Sequence, residues 1–409
     1  MMGLWLCALH MAGQGTVQEF GKNRVQYNDD FKNWNEYESR NFIIYYYGKA
    51  REIAGVVSQL AEVNNEDIRR RLEYRFNEKI DLIVYADLVD FNQSNLGNEE
   101  IFRSRTGETK VVDSKMLVYY TGDHRELRRQ IREGITRIYL EQMQVGSSIQ
   151  EFVQNAVSSD LPIWYTQGIV SFMGEEWYPK LDNSLRQNLL TDDYDNFFDL
   201  ARDHPKMAGH IFWKYVQDTY GRDVFANLLY LNRINRDLET SFLYSLGTGP
   251  DLLAEKAFSK YVNRFTEEEP YWTPLPKDCE IEQDQNKDRP YTAVALHPSG
   301  NTLAYVTMDI GKYRVFVRDE KGERELKLKR GFRNPFQPTD PDNPLLAWNP
   351  SGQVLGMIYE RRDKRYFQYW NLRSGKEGRV RISSTIEKIY SFDFISSGEL
   401  VLSASELGY

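Results

Sequence analysis

Residues that build metal centres and covalent frameworks are scarce in this sequence, with 2 cysteines and 5 histidines among 409 residues. Cys7 falls in an apolar leader, so Cys279 would stand alone in a mature chain. That excludes an internal disulfide framework and a cysteine-based metal site. Long apolar runs are missing too: beyond the first fifteen residues nothing is apolar for long enough to cross a membrane. Positive charge is not in excess, since the formal net charge is -8, and this removes any electrostatic pull toward nucleic acid or an anionic membrane. There is no Gly-x-Ser-x-Gly nucleophile elbow and no phosphate loop. Gly247-Thr-Gly-Pro250 reads as a helix cap and turn instead.

What is present suits a folded, two-domain chain. Hydrophobic residues make up 41% and charged residues 27%, enough to bury proper cores, and the length is large for one of them. Aromatics reach 14%, with 27 tyrosines, which fits strand-rich modules and partner-seeking surfaces. The start, MMGLWLCALHMAGQG, is apolar and ends in small residues, although no Lys or Arg precedes it. Residues 1–15 are therefore expected to be a secretory signal peptide, delivering the chain to the periplasm or the outer membrane, with no other membrane-spanning segment. LWLC makes a poor lipoprotein box, so no lipid is expected on Cys7.

From about residue 38 to 265 strand-like and helix-like patterns mix. Asn41 to Tyr47, Ile80 to Tyr85 and Met116 to Tyr120 are β-branched or aromatic and predict strands. Apolar positions at helical spacing predict helices over 49–75, 124–143, 148–157, 161–174, 208–219, 223–232, 237–245 and 250–264. The expected class is α+β for a domain over 16–265. A stretch rich in Pro and acid follows, and a linker is expected over 266–285.

Beyond it a repeat appears. Tyr291 to Val306 matches Leu345 to Ile358, and a third copy begins at Ile389. Each carries a turn, Pro-Ser-Gly in the first two and Ser-Ser-Gly in the third, between alternating strands. The turns are 52 residues apart from Pro298 to Pro350, and 46 from Pro350 to Ser396. These copies resemble TolB-like, WD-repeat-like propeller blades, which implies an all-β, incomplete β-propeller over 286–409 with about two and a half blades. A closed ring needs about four blades or more, so the sequence is expected to be a fragment.

The helical stretch Leu127 to Tyr139 is followed by Leu161-Pro-Ile-Trp-Tyr-Thr-Gln-Gly-Ile-Val-Ser-Phe172. This pair resembles the two metal-binding helices of gluzincin peptidases, particularly the peptidase MA-like family. There one helix carries HExxH and the next a Trp-Phe-x-Glu-Gly motif whose Glu is the third zinc ligand. Phe20 to Tyr27, Phe42 to Tyr47, Asp90 to Asn95, Tyr215 to Gly221 and Ser241 to Gly247 are similar to that family as well. Large Bacteroidota envelope proteins join such a domain to a TolB-like propeller in this order. The resemblance implies a gluzincin-like domain whose zinc site would lie at Arg132, Glu133, Thr136 and Gln167.

HExxH works because two imidazoles one helical turn apart hold zinc while Glu activates its water. Here Arg132 is permanently cationic, Thr136 is a poor ligand, Gln167 is neutral, and only Glu133 survives. Those four residues are expected to be vestigial, with no catalytic residue, no metal and no cofactor. Arg132 is expected either to fill the cation's place, pairing with Glu133 or bonding to Gln167 and Thr136, or to face solvent. Gly134 costs about 1 kcal/mol against Ala inside a helix, a hint of drift.

The remaining groups have plainer readings. His124 is expected at the surface or as a cap, His204 in a loop, His210 in the core or at the surface, and His297 in a propeller turn. A site of His204, His210 and an acid such as Glu175 stays open, with nothing in the spacing to support it. The arginines from Arg125 to Arg137, interleaved with Glu126 and Glu133, read as a solvated, salt-bridged face. The expectation is a non-catalytic envelope scaffold that binds envelope proteins or peptides within an outer-membrane complex. The alternatives are a zinc peptidase with displaced ligands and a glycan or cell-wall binding protein.

Overall fold

The computed structural model describes residues 33–75, 77–86, 90–91, 109–112, 114–145, 161–191, 194–271, 291–309, 312–319, 322–325, 331–332, 344–361, 364–396 and 398–406. The expected leader, the segment Phe20 to Tyr27, the helix over 148–157 and most of the linker lie outside them.

The first sheet is mixed, in the order β1 (Trp34–Glu38), β2 (Phe42–Tyr47), β3 (Ile80–Tyr85), β5 (Lys115–Tyr119), β4 (Lys110–Val112). β2, β3 and β5 run parallel and the two outer strands antiparallel. Phe42, Ile44 and Tyr47, with Leu82, Val84, Met116 and Val118, are buried against the helices. α1 (Arg51–Leu72) supplies Ile53, Val57, Ala61, Ile68 and Leu72 at helical spacing to that core.

α2 (His124–Val145) starts at Asp123, whose Oδ1 accepts the Arg125 amide at 2.8 Å. Asp123 is thus the capping side chain, while His124 is exposed and its Nε2 sits 3.2 Å from the Tyr120 hydroxyl. The middle of α2, residues 129–136, is buried on every side. Gly134 has a packing role rather than marking drift: a Cβ there would overlap the Met116 sulfur on β5.

A helical body follows: α3 (Ile163–Gly174), α4 (Pro179–Thr191), α5 (Phe197–Asp203), α6 (Pro205–Tyr220), α7 (Val224–Asn235), α8 (Leu238–Leu246) and α9 (Pro250–Glu268). α3 and α6 cross where Gly168 meets Gly209, and neither position has room for a Cβ. Trp213 Nε1 donates to the Tyr165 carbonyl across that crossing at 3.1 Å. Fully buried aromatics such as Trp213, Tyr165 and Phe242 each contribute roughly 1.5–3 kcal/mol of transfer free energy, opposed by ordering entropy. α9 carries on to Glu268 because Phe265, 1% exposed, extends its apolar stripe. The helix therefore runs into the first residues expected to be linker.

The repeats form three antiparallel sheets. One holds β6 (Tyr291–Leu296), β7 (Leu303–Asp309), β8 (Lys312–Asp319), β9 (Gly322–Glu325) and β10 (Gly331–Phe332). The next holds β11 (Leu345–Trp348), β12 (Val354–Arg361), β13 (Lys364–Asn371) and β14 (Glu377–Arg381), and the last β15 (Ile386–Phe394) and β16 (Leu400–Glu406). The first two turns are the same: Gly300 and Gly352 adopt φ of 79° and 70°, and each donates its amide 2.8 Å to the carbonyl three residues back. Leading strands β6, β11 and β15 are neighbours. His297 ties the first two turns together, its Nε2 lying 2.9 Å from the Gly352 carbonyl.

Among the described residues the chain is mixed α/β with several small sheets, and those sheets close into neither a barrel nor a propeller. No helix there is long and apolar enough to cross a membrane.

Candidate functional site

α2 presents three of the four expected site residues, and their partners differ from the expectation. Arg132 is buried and pairs with neither Glu133, Gln167 nor the Thr136 hydroxyl. Its Nε donates to the Met173 carbonyl at 2.7 Å, and its Nη1 lies 3.0 Å from both Asn64 Oδ1 and Asp67 Oδ2 on α1. The guanidinium thus satisfies a carbonyl left open at the end of α3 while tying α2 to α1. Burial lowers its pKa and Asp67 opposes that; an arginine keeps its charge either way. Thr136, fully buried, donates to the Arg132 carbonyl at 2.8 Å. Gln167 lies two turns before the end of α3, and its Oε1 is buried without a hydrogen-bond partner.

Glu133 is where the charge concentrates. Its side chain is 1% exposed and meets two cations, Arg129 Nη1 and Lys206 Nζ, each at 2.7 Å. The Thr109 amide adds a longer contact at 3.4 Å. Arg129 also bonds to Glu126, with Nε 3.0 Å from Oε2. Burial works against the charge on Arg129, but Glu133 and Glu126 outweigh it and hold the pKa above the ordinary value. Gly174 makes the approach possible, since a Cβ there would lie 2.6 Å from Glu133 Cγ. The α2 arginines are thus divided: Arg125 and Arg128 are exposed, as a solvated face requires, while Arg129 and Arg132 are buried because each finds an anion on its own or a facing helix.

These residues do not fit a zinc ion. The one surviving carboxylate already faces two fixed cations, and Arg132 points to α1. Among the described residues no group of three His, Cys, Asp or Glu side chains could hold a metal ion.

Beside Glu133 opens a cleft of about 380 Å³, within the small-ligand range. The first half of α2 contributes Glu126 and Arg129, and the end of α3 contributes Ser171. The stretch after α3 adds Glu175, Trp177 and Tyr178. The junction of α5 and α6 adds His204, Lys206 and His210. The fold thus brings His204, His210 and Glu175 to one cavity, which their spacing alone did not suggest. His204 is the single residue between α5 and α6, with Pro205 opening α6.

His210 is 2% exposed and its Nδ1 lies 2.9 Å from Ser171 Oγ, while Nε2 is buried with no hydrogen-bond partner among the described residues. The Gly168–Gly209 crossing creates this pair, because Ser171 lies one turn beyond Gly168 and His210 directly follows Gly209. Burial, helped by Lys206 and Lys214, drops the His210 pKa to about 3, so the ring is neutral at ordinary pH. Glu175 goes the other way: burial raises its pKa, opposed by Arg129 and Lys206 and reinforced by Glu133 and Glu126. Lys206 and Ser171 are the members that sequence reasoning missed; an amphipathic helix beginning at Pro205 was the available signal.

No protein-family model matches the chain, and no curated protein matches it.

Proposed function

We propose that the chain is a non-catalytic binding and scaffold protein of a bacterial cell envelope, in which a pseudo-metallopeptidase domain holds a peptide in its cleft. The observation that carries this reading is the double clamp on Glu133. A general base needs a lone pair within reach of a water, and this carboxylate is instead 1% exposed, with two cations 2.7 Å from one of its oxygens. Losing the base and the ligands leaves a groove with polar and aromatic walls, the kind of surface that can hold a peptide without cutting it.

The three repeat sheets support the second half of the proposal. Neighbouring leading strands, a shared glycine turn and a histidine linking successive turns are what the first blades of a TolB-like propeller would show. On this reading the sheets offer a further surface for envelope proteins, and export to the periplasm or the outer membrane would place both halves beside them.

The test is binding against turnover. A mixture of unstructured peptides is incubated with the protein in the presence of zinc, and binding is followed alongside the appearance of new amino termini. Binding without cleavage is the expected result. Cleavage that disappears in Glu133→Gln would overturn the proposal.

A further inference from the structure

We infer that the cleft takes one primary ammonium or guanidinium group, carried by a lysine or arginine side chain of a bound peptide, with Glu175 as its counter-ion. The inference rests on the peptide-binding reading above and names what that cleft selects.

The charge count carries it. Among the described residues Arg129 and Lys206 form one cluster with the carboxylates of Glu126, Glu133 and Glu175, so two positive charges face three negative ones and the cluster is left at -1. Both cations are engaged, Arg129 with Glu126 and Glu133, Lys206 with Glu133. Glu175 makes no ion pair or side-chain hydrogen bond among the described residues, although it is only partly exposed. A half-buried carboxylate without a partner gains more from a cation than an exposed one does. Its raised pKa points the same way.

The other charges on the walls are differently placed. Asp123 caps α2, and Asp203 contacts Tyr194 and Arg202. Arg125 lies over the Tyr178 ring at 4.9 Å and, like Lys180, is exposed. Glu175 is thus the partly buried wall carboxylate that has no direct ion pair among the described residues.

Two further features suit a cationic guest. Trp177 follows Glu175 on the wall, and aromatic faces attract ammonium and guanidinium groups. His210 Nε2 is buried and unpartnered at the same cavity. In the tautomer whose Nδ1–H donates to Ser171, Nε2 offers a lone pair, which an N–H donor of the guest or its backbone can fill. At about 380 Å³ the cavity is near the lower end of the usual range of roughly 300–1,000 Å³, the size for one long side chain and its neighbouring backbone.

The experiment measures calorimetric affinities of the full chain for three probes: acetyl-Gly-Lys-Gly-amide, the same peptide with norleucine for lysine, and free 1,5-diaminopentane. Glu175→Gln is compared with Glu176→Gln, which changes an exposed neighbour off the wall. The lysine peptide is expected to bind about tenfold or more tightly than the norleucine peptide, a gap lost in Glu175→Gln and kept in Glu176→Gln. Circular dichroism and melting temperature show that each variant is folded. Equal binding of the lysine and norleucine peptides would overturn the inference while leaving the peptide-binding reading intact. Glu175-dependent binding of the diamine alone would support the cation site and overturn the peptide reading. No binding by any probe would overturn both.

Discussion

A carboxylate that is 1% exposed and held by Arg129 and Lys206 has a predictable cost of removal. Glu133→Ala leaves two cations facing each other in a poorly hydrated place and is expected to destabilise the fold by about 3 kcal/mol. Lys206→Ala keeps the Arg129 pair, and the lysine is 16% exposed, so a loss of about 1–2 kcal/mol is expected. Urea unfolding of both variants checks the order; a Lys206 variant costing more than the Glu133 variant would contradict it. His210 gives a second prediction. Its pKa is about 3 when folded against an ordinary 6.5, so below pH 6.5 the unfolded chain takes up a proton that the folded chain refuses. Stability is therefore lost as pH falls from 6.5 toward 3, by about 2 kcal/mol between pH 7 and pH 5. His210→Gln should lack that slope while keeping the slopes of all other groups, and equal slopes would contradict the assignment. The sequence interleaves Glu126 and Glu133 with these arginines but does not show which of the charges are buried. Arg129 finds its anions on its own helix, whereas Asn64 and Asp67, the partners of Arg132, and Lys206, the second cation on Glu133, lie on other helices far along the chain.

Elements were read well where burial is one-sided and regular. Ile80–Tyr85 follows its β-branched alternation, and α1 its helical stripe. β1 (Trp34–Glu38) was not legible, since all five residues are exposed and no alternation marks them. α4 was missed because its apolar stripe is thin: Leu185 is its one fully buried residue, and polar side chains fill most other positions. α5 is only two turns long and depends on Asn196, which caps it through the amides of Phe198 and Asp199. The cleft itself depends on how closely α3 and α6 cross, and glycine sets that distance. Gly168→Ala would drive a methyl into the Gly209 backbone, force the helices apart and cost about 2 kcal/mol or more, with loss of the Ser171–His210 bond. Gly55, exposed on α1 with nothing within 4 Å of a Cβ, is the control, and Gly55→Ala should stabilise by roughly 0.5–1 kcal/mol. Thermal melts compare them, and similar effects of the two substitutions would contradict a packing role for Gly168.

The molecule joins these parts at a visible seam. Tyr390, on the last hairpin, donates to the Gly122 carbonyl, and a Cβ at Gly122 would overlap the Lys388 side chain. Gly122 directly precedes Asp123, which caps α2 and lines the cleft, so the repeat sheets touch the loop that leads into the site. The repeat was legible because its glycine turns recur in sequence. The seam was not, because Gly122 and Tyr390 are 268 residues apart and nothing local marks either. Under the proposed reading, Arg129 and Lys206 hold the Glu133 carboxylate where a peptidase's carboxylate would serve a metal-bound water. Elemental analysis of the full chain, purified after equilibration with zinc and removal of the excess, tests it most directly. The account predicts zinc far below one ion per chain. One tightly held zinc per chain, lost together with Glu133 on substitution to alanine, would contradict it.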